Sequence, residues 1–165
     1  MTIINKASDK FKDRQDEVCG FVFRFMREMN ALEDEIFERS EELKRHKLVM
    51  GIPKHQVGPG EEELWDEYKE RMKGIITPKC TEKLLKRPCG MSFGKPAKYG
   101  YIDGDCRVDF IMKSAKKAII VTHYKHGTEH MLKTELSDDG SGWLVNAVYY
   151  GFASDPDKWY IDSIH

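Results

Sequence analysis

The chain has 165 residues, of which 33% are charged and 40% are hydrophobic, and its net charge is −1. This length predicts one domain, residues 1–165, that buries about 70% of the surface of its unfolded chain. The near-neutral charge argues against a nucleic-acid-binding protein, and no apolar run is long enough to cross a membrane.

The first ten residues lack the apolar core of a signal peptide, so we expect a cytoplasmic protein. Its four cysteines form no Cys-x-x-Cys pair, which predicts free thiols in a reducing compartment.

A long helix is predicted from Ser8 or Asp9 to about Lys47. Its apolar side chains recur every three or four residues, at Phe11, Val18, Val22, Phe25, Met29, Leu32, Ile36 and Leu43. This stripe either packs on a sheet or pairs in part with a second chain, so a monomer and a homodimer both remain open.

A second helix is predicted to begin at Glu61, because the acids Glu61–Glu63 suit the positive end of a helix dipole. Thr77 and Pro78 end this helix and are expected to cap a short third one. Residues 86–104 contain two prolines and four glycines, which predicts an irregular crossing with one short strand near Tyr99–Tyr101.

Four strands joined by tight turns are predicted between Cys106 and Tyr150. The first turn is taken as the four-residue loop Ser114–Lys117, the second as the two-residue turn His126-Gly127, and the third as the loop 137–142. A closing strand over 158–164 follows a turn at Asp155–Asp157.

These turns fix which residues share a face, because side chains alternate along a strand. They place Phe110 opposite Val121, His123 opposite His130, and Leu136 opposite Trp143. The predicted apolar face carries Cys106, Val108, Phe110, Met112, Ile119, Val121, Leu132, Leu136, Trp143, Val145, Ala147 and Tyr149. The expected fold is α+β: a cone-shaped, strongly bent antiparallel sheet, covered by the long N-terminal helix and two shorter helices.

Several segments resemble the nuclear transport factor 2-like superfamily, and more narrowly its bacterial branch of immunity proteins from polymorphic toxin systems. They are the helix end YKERMKGIITPKCTEKLLKR, the crossing Gly94–Tyr99, the strand Ala118–Thr122 and the segment Lys158–His165, and the resemblance covers about residues 60–165. It implies the cone fold and an antitoxin that binds and neutralises a cognate toxin without catalysis and without a cofactor. No catalytic residue carries over.

Some relatives in the superfamily are isomerases or dehydratases, so a small-molecule enzyme or carrier that uses the cone is the alternative function. The polar side chains expected to line such a cavity are His123, His130, Thr134 and Tyr149. An enzyme of this kind needs a buried acid or base, whereas Asp109 is predicted to point to the other face. Catalysis is therefore not expected.

The predicted cross-strand pair of His123 and His130 has two interpretations. The rings are either hydrogen-bonded at the rim of the sheet or, with Cys106 on the same face, part of a metal site. A metal site needs three or four ligands, so no metal is assigned.

Acidic residues on the second helix and on two turns are candidates for contact with a basic toxin. Nuclease toxins carry basic surfaces that hold phosphate, and carboxylates can cover such a surface. The candidates are Glu61, Glu62, Glu63, Asp66, Glu67, Asp138, Asp139, Asp155 and Asp157. The alternative for the helix residues is a solvated first turn.

Overall fold

A computed structural model describes residues 1–87 and 91–165 of the chain and shows an α+β fold. A long N-terminal helix and two shorter helices accompany a six-stranded mixed sheet that is not closed into a barrel. The helices are α1 (Gln15–Val49), α2 (Glu61–Ile76) and α3 (Glu82–Leu85). The strands are β1 (Thr2–Asn5), β2 (Arg107–Ser114), β3 (Lys117–His126), β4 (Thr128–Asp138), β5 (Trp143–Phe152) and β6 (Asp155–Asp162).

The long helix is confirmed, although its first turns differ from α-helix. A 3-10 segment, Asp9–Arg14, precedes α1. The predicted stripe is buried over most of its length, at Val18, Val22, Phe25, Met29, Leu32 and Ile36. Each large apolar side chain buried in this way stabilises the fold by about 1.5–3 kcal/mol. Among the described residues, no helix combines the length and the apolar character that a membrane span requires.

The second helix begins at Glu61 as predicted, but the start predicted for the third is wrong. Thr77–Lys79 continues α2 as a 3-10 turn, and α3 begins only at Glu82 with Thr81 as its cap. The cause is a tertiary contact: Cys80 is extended and pairs with Val145, which interrupts the helical path.

The six strands follow one another across the sheet in chain order. Because β1 runs parallel to β2, the prediction of a wholly antiparallel sheet is wrong. The short strand expected near Tyr99 is instead the 3-10 segment Gly100–Asp103. The closing strand already begins at Asp155, so Asp155–Asp157 belongs to β6 and not to a turn. Of the four cysteines, Cys19 and Cys106 are buried free thiols, Cys80 is also buried, and Cys89 lies outside the described residues.

The first two hairpins have registers one residue away from the predicted ones. Phe110 pairs with Ile120 instead of Val121, and His123 pairs with Met131 instead of His130. Both registers are shifted by one residue, so the side chains of β2 and β4 lie on the faces that were predicted. The side chains of β3 lie on the opposite faces from those predicted. Its helix-facing residues are Ala118, Ile120 and Thr122, and not Ile119 and Val121.

An irregularity between β4 and β5 changes the face of the second half of β5. Leu136 pairs with Val145 and not with Trp143, and the register shifts between Glu135 and Leu136. The extra residue of this β-bulge turns Val148 towards the helices, whereas Ala147 and Tyr149 were predicted there.

One hydrophobic core fills the space between the helices and one face of the sheet, which we call the inner face. Phe110 and Ile120 of the sheet are fully buried in it, as are Phe25 of α1 and Tyr68 of α2. Trp143 joins the core with its indole Nε1 donating to the carboxylate of Glu17 at 2.9 Å. The opposite face of the sheet is the outer face.

Candidate functional site

His123 lies on the outer face beside Asp109, a carboxylate that sequence reasoning placed on the other side of the sheet from it. His123 Nε2 is 3.0 Å from Asp109 Oδ2, and Lys6 Nζ donates to the same oxygen at 2.8 Å. Burial acts to raise the pKa of Asp109, but the hydrogen bonds from Lys6 and His123 outweigh it and hold that pKa below its usual value. The group joins β2 and β3 to Lys6, the residue that follows β1.

His130 lies on the opposite face from His123, near the start of β4. Its Nε2 is 3.2 Å from the carbonyl oxygen of His126, which requires an Nε2–H donor, and its ring stacks on Tyr124. The expectation that His123 and His130 share a face is therefore wrong, and the two rings do not meet as a pair of metal ligands.

The two remaining cavity candidates are also separated. Thr134 is buried on the inner face, as predicted. Tyr149 is on the outer face, where Lys133 Nζ lies 4.3 Å from the centre of its ring and 4.8 Å from that of Trp159. The four residues predicted to line one cavity thus do not converge.

A buried polar group that sequence reasoning missed lies near the middle of α1 and α2, against the segment 94–98 and His165. Glu33 of α1 accepts hydrogen bonds from the backbone N–H groups of Gly94 at 3.1 Å and Lys98 at 3.0 Å. His165 Nε2 is 3.5 Å from the same carboxylate and 2.7 Å from the hydroxyl oxygen of Tyr68. The sequence signal that could have revealed this group is Glu33 itself, a glutamate within the apolar stripe of α1. A groove of about 390 Å³ borders this group.

The acidic residues predicted on α2 divide into two sets. Glu61 accepts a hydrogen bond from the backbone N–H of Gly58 at 2.7 Å and pairs with the buried Lys47 at 3.1 Å. Glu67 pairs with Arg39 at 2.6 Å and Arg71 at 2.9 Å, and these hydrogen bonds lower its pKa to about 2. Both carboxylates already have internal partners. The exposed set consists of Glu62, Glu63 and Asp66, of which Asp66 is 3.4 Å from Lys69.

The four acidic turn residues lie at the two ends of β5 and do not form one patch. Asp138 Oδ1 accepts from Gly140 N at 2.8 Å, and Asp139 Oδ1 accepts from Ser141 N at 2.9 Å, so these side chains shape the β4–β5 turn. Asp155 and Asp157 lie at the start of β6, where Asp155 pairs with Phe152.

A row of aromatic rings, some exposed and some half-buried, lies beside Asp155 at the start of β6. We call Tyr124, His130, Phe152, Tyr150 and Tyr160 the aromatic strip. Successive ring centres after His130 are 5.2, 6.2 and 5.1 Å apart. The exposed fractions are 39% for Tyr150, 36% for Phe152 and 37% for Tyr160. The strip continues the inner face past the part that the helices cover.

Another exposed apolar group is at the C-terminal end of α1 and in the loop after it. It consists of Leu48, Val49, Met50 and Val57, and Val49 is 87% exposed. Glu61 and Glu62 line a groove with Val57, but Glu61 is already paired with Lys47. Asp155 adjoins the aromatic strip through its pairing with Phe152.

Comparisons of the chain with protein-family models, with curated proteins and with solved structures give no match.

Proposed function

We propose that this protein is an immunity protein, which binds one cognate bacterial toxin in the cytoplasm and neutralises it without catalysis. The observation that carries the proposal is the exposure of Tyr150, Phe152 and Tyr160 on neighbouring strands. Aromatic side chains are enriched in the centres of protein interfaces, and an exposed group of them marks an interaction surface.

The rings are held by regular secondary structure, which suits tight binding. Tyr150 and Tyr160 are partners in the β5–β6 pairing and stack at 5.1 Å with 20° between their planes. Tyrosine has few rotatable bonds, and rings fixed before binding lose little entropy when a partner arrives. A preorganised surface of this kind favours a binder of one protein over a loose carrier.

The exposed acids support a partner with a basic surface. Glu62, Glu63 and Asp66 are exposed on α2, and Asp155 and Asp157 are exposed beside the aromatic strip. Opposite charges on two partners speed their encounter and disfavour wrong partners. A toxin that acts on nucleic acid carries such a basic surface.

The order of elements supports the family that the sequence motifs resemble. A long helix, two shorter helices and a sheet whose strands follow in chain order suit a cone-shaped fold of the nuclear transport factor 2-like type. The β-bulges in the sheet also support a cone shape, because each bulge bends its strand.

Affinity capture from the producing cell, with mass spectrometry of the bound proteins, tests the first step of the proposal. We expect one stoichiometric partner. Co-expression of that partner with this protein should then restore growth that the partner alone arrests. A partner whose toxicity is unchanged by co-expression would contradict the proposed function, even if the two proteins bind.

A small-molecule enzyme or carrier is the second candidate, and the buried polar group of Glu33, Tyr68 and His165 beside its groove favours it. Native mass spectrometry of the purified protein and of Glu33→Gln separates the two candidates. A bound small molecule that Glu33→Gln releases would favour the enzyme or carrier. Neutralisation of the toxin by a folded Glu33→Gln variant would favour the immunity protein.

A further inference from the structure

The exposed rings of the β5–β6 hairpin meet in a corner. Tyr150 and Tyr160 are nearly parallel, and the plane of Phe152 is 89° from that of Tyr150 with 6.2 Å between the ring centres. A flat side chain can therefore lie on one ring face while it contacts a second ring at an angle. An aliphatic side chain would pack against the two rings with less geometric specificity than a planar side chain.

Cations already lie over rings of this hairpin. Lys158 Nζ is 5.2 Å from the centre of the Tyr160 ring, and Lys133 on the outer face lies over Tyr149 and Trp159. The electron-rich face of an aromatic ring attracts a cation within about 6 Å. Arginine uses this attraction best, because its guanidinium is planar, weakly hydrated and always charged.

Carboxylates stand beside the same rings. Asp155 pairs with Phe152 across the two strands, Asp157 follows two residues later, and neither forms an ion pair within residues 1–87 and 91–165. The pKa of Lys158 is raised mainly by its hydrogen bond with the Tyr160 side chain, and the charge of Asp155 makes only a small contribution.

These observations determine the chemistry of the occupant. We propose that the aromatic strip is the docking surface for a basic segment of the partner, with arginine side chains stacked on Tyr150, Phe152 and Tyr160 and paired with Asp155 and Asp157. This inference rests on the proposed function, because it assigns the segment to the cognate toxin. Rings and carboxylates act together: the rings select the planar cation and the carboxylates neutralise it.

A direct test measures binding of two fluorescein-labelled peptides, one with six arginines and one with six lysines on the same glycine-serine backbone. Fluorescence anisotropy at low salt gives the dissociation constants, and NMR locates the contact from the aromatic resonances. We expect the arginine peptide to bind about fivefold more tightly and to shift the resonances of the strip. Equal affinity for both peptides, or shifts confined to α2, would overturn the proposal.

Variants separate the contribution of the rings from that of the charges. Tyr150→Ala with Tyr160→Ala should weaken binding of the arginine peptide about tenfold, whereas Tyr150→Phe should retain it. Asp155→Asn with Asp157→Asn leaves the rings in place and should weaken binding of both peptides. Val49→Ser changes the other exposed apolar group and is the matched control, for which no change is expected. Circular dichroism shows whether each variant is folded.

The same variants distinguish failure of this inference from failure of the proposed function. If the wild-type protein neutralises the recovered toxin and the folded Tyr150→Ala, Tyr160→Ala variant binds that toxin equally well, the docking surface is wrong and the function stands. If the arginine peptide binds at the strip but no toxin is neutralised, the surface stands and the immunity function is wrong.

Discussion

Glu67, which the sequence suggested as a contact for the toxin, already forms ion pairs within the fold. Arg39 of α1 donates to both of its oxygens, at 2.6 and 2.7 Å, and Arg71 donates to one of them at 2.9 Å. Glu35 completes the group through Arg71, at 2.7 Å. These paired charges join α1 to α2 and leave Glu67 little capacity for a toxin.

The titration of Glu67 follows from these contacts. Its pKa is lowered from the usual 4.5 to about 2, chiefly by the hydrogen bond from Arg39 and then by that from Arg71. A folded pKa below the unfolded one contributes stability above pH 4.5, and that stability is lost as the pH falls towards 2. Carbon-13 NMR of the side-chain carboxyl should therefore give a midpoint near 2.

An arginine variant supplies the control for this titration. In Arg39→Gln the largest cause of the shift is removed, so the midpoint of Glu67 should rise towards 4.5. A midpoint near 4.5 in the wild-type protein would show that the two arginines do not hold the carboxylate in solution.

At the scale of the element, helices were more predictable than strand registers. The start of α2 at Glu61 and the stripe of α1 follow from local signals, namely acids in a first turn and apolar residues every three or four positions. The start of α3 depends on a bridge between Cys80 and Val145, residues distant in the chain. No local pattern contains that information.

The reversal of β3 has a related cause. Residues 118–121 are Ala-Ile-Ile-Val, apolar at every position, so alternation cannot decide which pair faces the helices. The register then depends on the turns. The first turn has two residues between the paired Ser114 and Lys117, and the second has only Gly127 between His126 and Thr128. The first turn keeps the predicted register, because Ser114 pairs with Lys117, but a β-bulge between Met112 and Ser114 then shifts the pairing of β2 with β3 by one residue. The second turn is one residue shorter than predicted. His123 was therefore placed on the wrong face, and its contact with Asp109 was missed.

Two glycines test the packing of single elements with opposite expected signs. A Cβ on Gly151 of β5 would lie 2.9 Å from the backbone oxygen of Lys158 and 3.3 Å from the Trp159 ring, so Gly151→Ala should lower the free energy of unfolding by about 1–3 kcal/mol. A Cβ on Gly74 of α2 meets nothing within 4 Å, so Gly74→Ala should raise it by about 0.5–1 kcal/mol. Urea unfolding measures both changes.

The change in the free energy of unfolding for Gly151→Ala shows whether β6 is held firmly against β5. If Gly151→Ala left the free energy of unfolding unchanged, β6 and Trp159 would have to move away from β5 without loss of stability. In that case the rings of Tyr150 and Tyr160 would not be held together by a fixed hairpin, and the preorganisation of the aromatic strip would be contradicted.

At the scale of the whole molecule, the helices cover only part of the inner face. The covered part is the core, with Phe110, Ile120 and Val145 fully buried. The uncovered part carries the aromatic strip, whose Tyr150 and Phe152 continue the same strand. One face of one sheet therefore provides both the stability of the fold and the surface proposed for binding.

The net charge of −1 gives the whole molecule little long-range attraction for a basic partner, so any steering must come from local carboxylates. Glu62, Glu63 and Asp66 are exposed together on α2. We expect the association rate constant with the toxin to rise as ionic strength falls, because the screening length grows from about 10 Å at 0.1 M to about 30 Å at 0.01 M salt. Stopped-flow fluorescence measures this rate constant.

Replacing the three α2 carboxylates by their amides should reduce the association rate constant at low salt about tenfold and flatten its dependence on salt, with little change in the dissociation rate. The matched control replaces Asp13, Glu42 and Glu82, which are exposed on other elements. Both triple variants change the net charge from −1 to +2, since three negative charges are removed. Equal slowing in the two variants would assign the effect to net charge and exclude α2 as the steering surface.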